Sequence, residues 1–308
     1  MSIDRLIEKI NTLGNPTVAG LDPKLSFIPG ELCAAAFAKH GLTLEGAAEV
    51  LLSFNKGLID ALCEIVPAVK LQAAYYELYG WPGVRALADS IAYAKEKGLY
   101  VITDGKRNDI GSTVEVYAAA HLGSVVLANG TDRVELEPFG ADALTVNGYL
   151  GTDGVKPLLD VCKSHNKAIF VLCKTSNQSS GELQDLTLAN GETIYSRMAL
   201  MCDVWGAEVP GAHGYTGVGA VVGATYPEQL GELRAAHPSL FMLVPGYGAQ
   251  GGGAADVAGA FDRNGGGAVI NSSRAIMCAW QKNGGDYQEA ARAEAIRMRD
   301  ELRSVIGH

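Results

Sequence analysis

Residues 100–113 read YVITDGKRNDIGST, so four strand-forming residues run straight into Asp104, Lys106, Arg107 and Asp109. Asp104 and Lys106 are two apart. At the end of an extended strand both side chains therefore face the same way. Gly105 between them gives the backbone freedom that other residues lack. Two carboxylates about 4 Å apart repel by roughly 4 kcal/mol at an effective dielectric near 20, and a lysine between them removes much of that repulsion. An ammonium held rigidly beside carboxylates is placed to deliver a proton to carbon. A salt-bridged strand cap uses the same residue types, so D-x-K-x-x-D alone does not decide. Lys70, in PAVKLQAAYYE, adds weight because its neighbours are apolar. A charge there is costly unless it is paired.

Such groups need elements to hold them. Short runs rich in Val, Ile and Leu recur at 17–22, 68–72, 99–104, 142–147, 168–174, 219–225, 241–246 and 267–272. They are near-continuously apolar, as strands buried on both faces are. Helical patterns lie between them, and a last one follows at about 285–305. Alternating strand and helix predict a single α/β domain over 1–308: an eight-stranded parallel (β/α)8 TIM barrel. A doubly wound open sheet is the competing arrangement. Longer spacings at 23–45, 105–141 and 175–218 are read as elaborated loops or extra helices. Polar residues collect at the C-terminal strand ends: Asp22, Lys70, Asp104 with Lys106, Asn147, Thr175 with Ser176, Gln250 after Pro245, and Arg274. Catalytic groups gather at that face of a barrel.

The run VPGYGAQGGG contains G-x-G-x-x-G at Gly246, Gly248 and Gly251. It belongs to the seventh strand, not to an opening βαβ unit, and no acidic residue ends the following strand. A dinucleotide site is therefore disfavoured. Barrels commonly hold a phosphate with the loops after strands seven and eight. Here those loops carry glycines, Gln250, Ser272, Ser273 and Arg274, and Arg274 suits a bidentate grip.

The net charge of −9 disfavours coating nucleic acid or an anionic membrane. Hydrophobic residues make up 48% of the 308, enough for a sizeable core. Six scattered cysteines without a C-x-x-C read as free thiols in a reducing cytoplasm. MSIDRLIEKI has helical spacing rather than the form of a signal peptide, and no apolar run reaches membrane-spanning length. The expectation is a soluble cytoplasmic protein.

Taken in order, VAGLDP, VKLQAAYYE, DGKRNDIGST, KTSN, PGYGAQGG and NSSRAI resemble the landmarks of the orotidine 5′-phosphate decarboxylase family in its longer bacterial form. DGKRNDIGST matches that family's D-x-K-x-x-D-I-x-x-T, and the resemblance covers about residues 15–280. It implies conversion of orotidine 5′-phosphate to UMP and carbon dioxide, without cofactor or metal, by a homodimer with shared sites. It makes Lys106 the proton donor and sets Asp104 against the substrate carboxylate. Lys70 and Asp22 hold ribose hydroxyls, while Asp109, Ile110 and Thr113 reach the partner's site. Ser176 reads the pyrimidine edge, Pro245 lines the base pocket, and Gln250 and Arg274 bind phosphate. Where the family pattern has SNPGS, this chain has SNQSS at 176–180. That departure bears on the stiffness of the loop. Two other readings stand beside this one. One is a related barrel acting on sugar phosphates, as decarboxylase or aldolase, with a divalent metal. The other is a non-catalytic nucleotide-binding barrel.

Overall fold

Alternation within short strands decides which residues meet at the barrel axis. The computed structural model describes residues 1–248 and 251–306. Its strands are β1 (Thr17–Leu21), β2 (Ala68–Gln72), β3 (Tyr100–Arg107), β4 (Val125–Asn129), β5 (Asp132–Leu136), β6 (Ala143–Val146), β7 (Ala168–Lys174), β8 (Val218–Val222), β9 (Met242–Pro245) and β10 (Ala268–Ser272). Eight of them close into a barrel in the order β1-β10-β9-β8-β7-β6-β3-β2. Every pairing within it is parallel. The TIM barrel expected from the sequence is thus the observed fold.

One side-chain set per strand faces the axis. Val18, Ala68, Tyr100, Ile102, Ala143, Phe170, Phe241, Leu243 and Val269 form an inner cluster. The other set, including Leu21, Val69, Leu71, Val101, Leu144 and Val171, packs outward against the helices in a larger cluster. The N-terminal helix Ser2–Leu13 supplies Ile3, Leu6 and Ile7 to the inner cluster. Ser2 Oγ donates to Tyr100 Oη at 3.0 Å, at the start of β3. This helix therefore plugs the barrel floor. Its Ile3, Leu6, Ile7 spacing was legible in the sequence, but its role as a plug was not.

The region 105–141 holds the expected extra helix and, beyond that expectation, a hairpin. It holds the helix Gly111–His121 and then the antiparallel hairpin β4–β5. Both hairpin strands are exposed along their whole length. Helix Gly30–His40 lies within 23–45, and helices Gly181–Gln184 and Ile194–Gly206 lie within 175–218. Among the described residues, no helix is long and apolar enough to cross a membrane. All six cysteines are free.

Candidate active site

The inward series on β3 runs Tyr100, Ile102, Asp104, so the alternation that builds the core ends by pointing a carboxylate at the barrel mouth. The register sets Asp104 beside Gln72 on β2, and Lys70 beside Gly20 on β1. Asp104 is 7% exposed. Its Oδ2 accepts from Lys70 Nζ at 2.8 Å and Gln72 Nε2 at 3.0 Å. Its Oδ1 accepts from Lys106 Nζ at 2.7 Å and Thr145 Oγ1 at 2.7 Å. Asp22 Oδ1 lies 3.8 Å from Lys70 Nζ and accepts the Gln72 backbone N–H at 3.3 Å. The result is an alternating array of Asp22, Lys70, Asp104 and Lys106. Neighbouring opposite charges offset the desolvation that either sign alone would suffer.

Those neighbours set the protonation of the buried members. Burial pushes the Asp104 carboxyl up. The ammonium of Lys70, then that of Lys106, more than reverses this and holds it well below the usual carboxylate range. Burial pulls Lys70 down, and Asp104, then Asp22, lift it above an ordinary lysine.

Lys106 reaches Asp104 by a route that spacing did not foretell. The β3–β6 pairing shifts register between Thr103 and Arg107. Lys106 itself is left-handed, with φ 49°. The freedom assigned to Gly105 is thus taken up by Lys106, since Gly105 is absent from the positive-φ residues. A non-glycine residue in this region is strained and persists where its surroundings hold it. Here the Lys106 backbone N–H donates to Thr145 Oγ1 at 3.0 Å, and the same hydroxyl donates to Asp104. A local irregularity of this kind re-aims a side chain at a strand end. Lys106 keeps 45% of its side chain exposed, beside a carboxylate only 11% exposed.

The array opens on a cavity of about 630 Å³. Asp22, Lys70, Asp104 and Lys106 form one wall, and Ser176, Pro245 and Arg274 lie across it. Gly246 and Gly248, with φ 102° and 76°, turn the chain after β9 in a way a side chain would resist. At Gly20 a Cβ would fall 1.9 Å from Ser273 Oγ, so the β10 loop sits directly on β1. Gln250 lies outside the described residues. Asp109, Ile110 and Thr113 do not line the cavity. They lie around the start of helix Gly111–His121, with Ile110 54% exposed.

Several lining residues escaped the sequence reading. Gln72 and Thr145 share the inward parity of Lys70 and Asp104, so alternation would have found them. Lys24, Phe27 and Tyr75 also line the cavity. Lys24 Nζ lies 5.5 Å from the Phe27 ring centroid and 5.8 Å from that of Tyr75. Lys24 precedes the 3-10 turn Leu25–Phe27, which carries Phe27, and Tyr75 sits on the short helix Ala73–Glu77, elements too short for any periodicity to point inward. Asn271 lines the cavity too, and its Oδ1 is buried without a hydrogen-bond partner among the described residues. Such an acceptor is available to a ligand donor.

Comparison with known proteins fits this geometry. Residues 53–292 match the family model described as Orotidine 5′-phosphate decarboxylase / HUMPS family. The chain is 45% identical over 297 residues to an orotidine 5′-phosphate decarboxylase of Rhodopirellula baltica, covering 94% of this chain and 95% of that one. It is 37% identical over 309 residues to the Clostridium acetobutylicum protein of the same name, covering 99% and 100%. The solved structure of Leishmania donovani OMP decarboxylase superposes with a TM-score of 0.76 at 28% identity, covering 100% of this chain and 99% of that one. On the match to most of its length and on relatives aligned end to end, the chain belongs to the orotidine 5′-phosphate decarboxylase / HUMPS family.

Proposed function

We propose that this chain decarboxylates orotidine 5′-phosphate to UMP and carbon dioxide, with Lys106 as the proton donor. The observation that carries the reading is the Asp22–Lys70–Asp104–Lys106 array opening on the cavity. The bond from C6 to the carboxylate breaks and its electron pair stays on C6. Carbon dioxide leaves, and C6 takes a proton from Lys106 Nζ. The resulting neutral amine is reprotonated from water. The carbanion lies in the ring plane without resonance relief, so a fixed positive charge beside C6 is the stabilisation it needs. Asp104 faces the departing carboxylate, and their repulsion vanishes as carbon dioxide forms. Held between two ammonium groups, Asp104 is ionised throughout the neutral range.

The far wall binds rather than reacts. Ser176 faces the pyrimidine edge, and Pro245 lines the base pocket. Arg274, with Gln250, takes the phosphate, and Asp22 with Lys70 holds the ribose hydroxyls. Binding energy from the phosphate, remote from the bond that breaks, helps seat the base against the charged wall. The reading asks for no cofactor. Lys70 Nζ stands between Asp22 and Asp104 and itself supplies the positive charge that pairs with their carboxylates. Asp109, Ile110 and Thr113 reach the site of a second copy in a homodimer. The exposure of Ile110 at 54%, Val116 at 69% and Tyr149 at 78% supports this, because large apolar side chains on one flank suit an interface. Free cysteines and an acidic surface suit the cytoplasm.

The ultraviolet absorbance of orotidine 5′-phosphate, followed with purified protein and excess chelator, tests the activity. Full turnover is expected. Turnover abolished by chelator and restored by a divalent cation would favour the metal-dependent relative. Tight UMP binding without turnover would favour a non-catalytic nucleotide-binding barrel.

A further inference from the structure

β7 ends in another buried lysine, which the chemistry above does not use. The Lys174 side chain is 0% exposed. Its ammonium donates to Asp185 Oδ1 at 2.7 Å and to Ser180 Oγ at 3.1 Å. It also lies 4.2 Å from the centroid of the Tyr226 ring. A buried ammonium is costly unless paired, and every one of these partners offsets that cost.

All of them belong to one loop or to the segment that covers it. Ser180 and Asp185 lie in the loop 175–185, and Tyr226 precedes helix Pro227–Ala236. Ser180 Oγ donates to Tyr226 Oη at 3.2 Å, and Tyr226 Oη donates to the Asn177 carbonyl at 3.3 Å. Thr225 Oγ1 donates to the Ser176 carbonyl at 3.1 Å. Gly223 lies so close beneath that a Cβ there would meet Ser176 Cα at 2.7 Å. At the other end, Gln184 Oε1 accepts the Thr175 N–H at 2.9 Å, and Gln184 Nε2 donates to Thr175 Oγ1 at 2.8 Å. Thr175, Ser176, Asn177 and Gln184 line the cavity, but Lys174 does not. Gln178 and Ser179 put no proline into the loop, whose only regular structure is the short turns Gln178–Ser180 and Gly181–Gln184, so side-chain anchors carry much of its order.

We propose that Lys174 is a positioning residue for base recognition. Its buried ammonium clamps the 175–185 loop and so fixes Ser176 and Asn177 at the cavity wall without touching substrate. This rests on the reading that Ser176 faces the pyrimidine, because only then does loop position govern base affinity.

The test compares two ligands that share a phosphate and a ribose, of which only one carries a base. Affinities for UMP and for ribose 5-phosphate are measured by calorimetry in Lys174→Met, Asp185→Asn and Ser176→Ala. Lys174→Met is expected to weaken UMP by about tenfold to a hundredfold, the scale of an ångström-level misplacement, and to leave ribose 5-phosphate within about twofold. Asp185 is 39% exposed, so Asp185→Asn folds more readily than a variant emptied at the core. The same selective loss is expected there at about threefold to tenfold. This second variant carries the test if Lys174→Met does not fold. Loss of thermal stability with an unchanged UMP to ribose 5-phosphate ratio in the folded variants overturns the proposal. If Ser176→Ala shifts the ratio and the clamp variants do not, the clamp is wrong and base reading by Ser176 stands. If none of the three shifts it, the Ser176 reading fails and the clamp fails with it.

Discussion

The β1–β3 side of the cavity and the β7–β10 side are held in different ways. On the first, the groups are carried on strands or at their ends, and they hold one another: Asp104 alone accepts from Lys70, Gln72, Lys106 and Thr145. On the second, Ser176 and Arg274 stand on loops or helix starts, and the anchors are backbone turns, a tight Gly20–Ser273 approach and the Lys174 clamp. Strand-borne charges are rigid because moving one leaves another buried and unpaired. Loop-borne groups move at lower cost, which suits a surface that must admit and release a ligand. The contrast implies that damage to the charged wall shows in turnover and stability, whereas damage to the far wall shows in affinity.

The largest expected effect is on the first side. Lys106→Ala should cut turnover by about a thousandfold or more if the proposed role holds, since it would remove both the proposed proton donor and its fixed charge. UMP affinity should change far less, because product needs no proton. A variant with near wild-type turnover would remove Lys106 from the mechanism. The same variant probes the proposed homodimer. Mixed with Asp109→Ala, random exchange makes half the dimers hybrid, each with one intact site, so about a quarter of wild-type activity should return. No recovery after confirmed subunit exchange would break the shared-site arrangement.

The intermediate effect belongs to the far wall. Arg274→Ala should weaken UMP by about tenfold to a hundredfold, the worth of charge-assisted hydrogen bonds to a phosphate. Turnover at saturating substrate should fall less than KM rises. Unchanged UMP affinity, measured by calorimetry, would place the phosphate elsewhere.

The two sides were also unequally legible. Lys70 and Asp104 could be read from the chain because a charge at the inward parity of an apolar strand has few innocent explanations. The Asp104–Lys106 spacing gave the right pair for an incomplete reason. A two-residue period describes a regular strand, yet the contact depends on a register shift and a left-handed Lys106 held by Thr145 on β6. That support is non-local and leaves no trace in the neighbouring residues. Lys174 was read as the end of a strand and the first residue of KTSN, with no role of its own, because its partners Ser180, Asp185 and Tyr226 meet it through loop packing. The β4–β5 hairpin was missed although its two runs flank a two-residue turn at Gly130 and Thr131. The long gap between barrel strands suits a helix or a loop equally well, and the regular strand–helix alternation around it masks a local hairpin signal.

The smallest effect tests whether the charged wall couples chemistry to folding. Asp104 has a folded-state pKa below its unfolded value of about 3.9. Its pairing therefore contributes stability in full above that pH, and the contribution is lost as pH falls through the folded-state value. Lys70→Met removes the stronger of the two ammonium partners, so burial regains ground and the folded-state pKa moves back up. The variant should start less stable at pH 7. It should also lose less on acidification, with the fall between pH 5 and pH 3 shallower than wild type by on the order of 1 kcal/mol. Urea unfolding at these pH values measures it. Arg274→Ala, on the loop-borne side, should keep the wild-type slope. Parallel acid slopes for wild type and Lys70→Met would mean that Asp104 is held ionised by something other than Lys70. The rigid wall would then owe its order to Lys106 and Thr145 rather than to the buried pair.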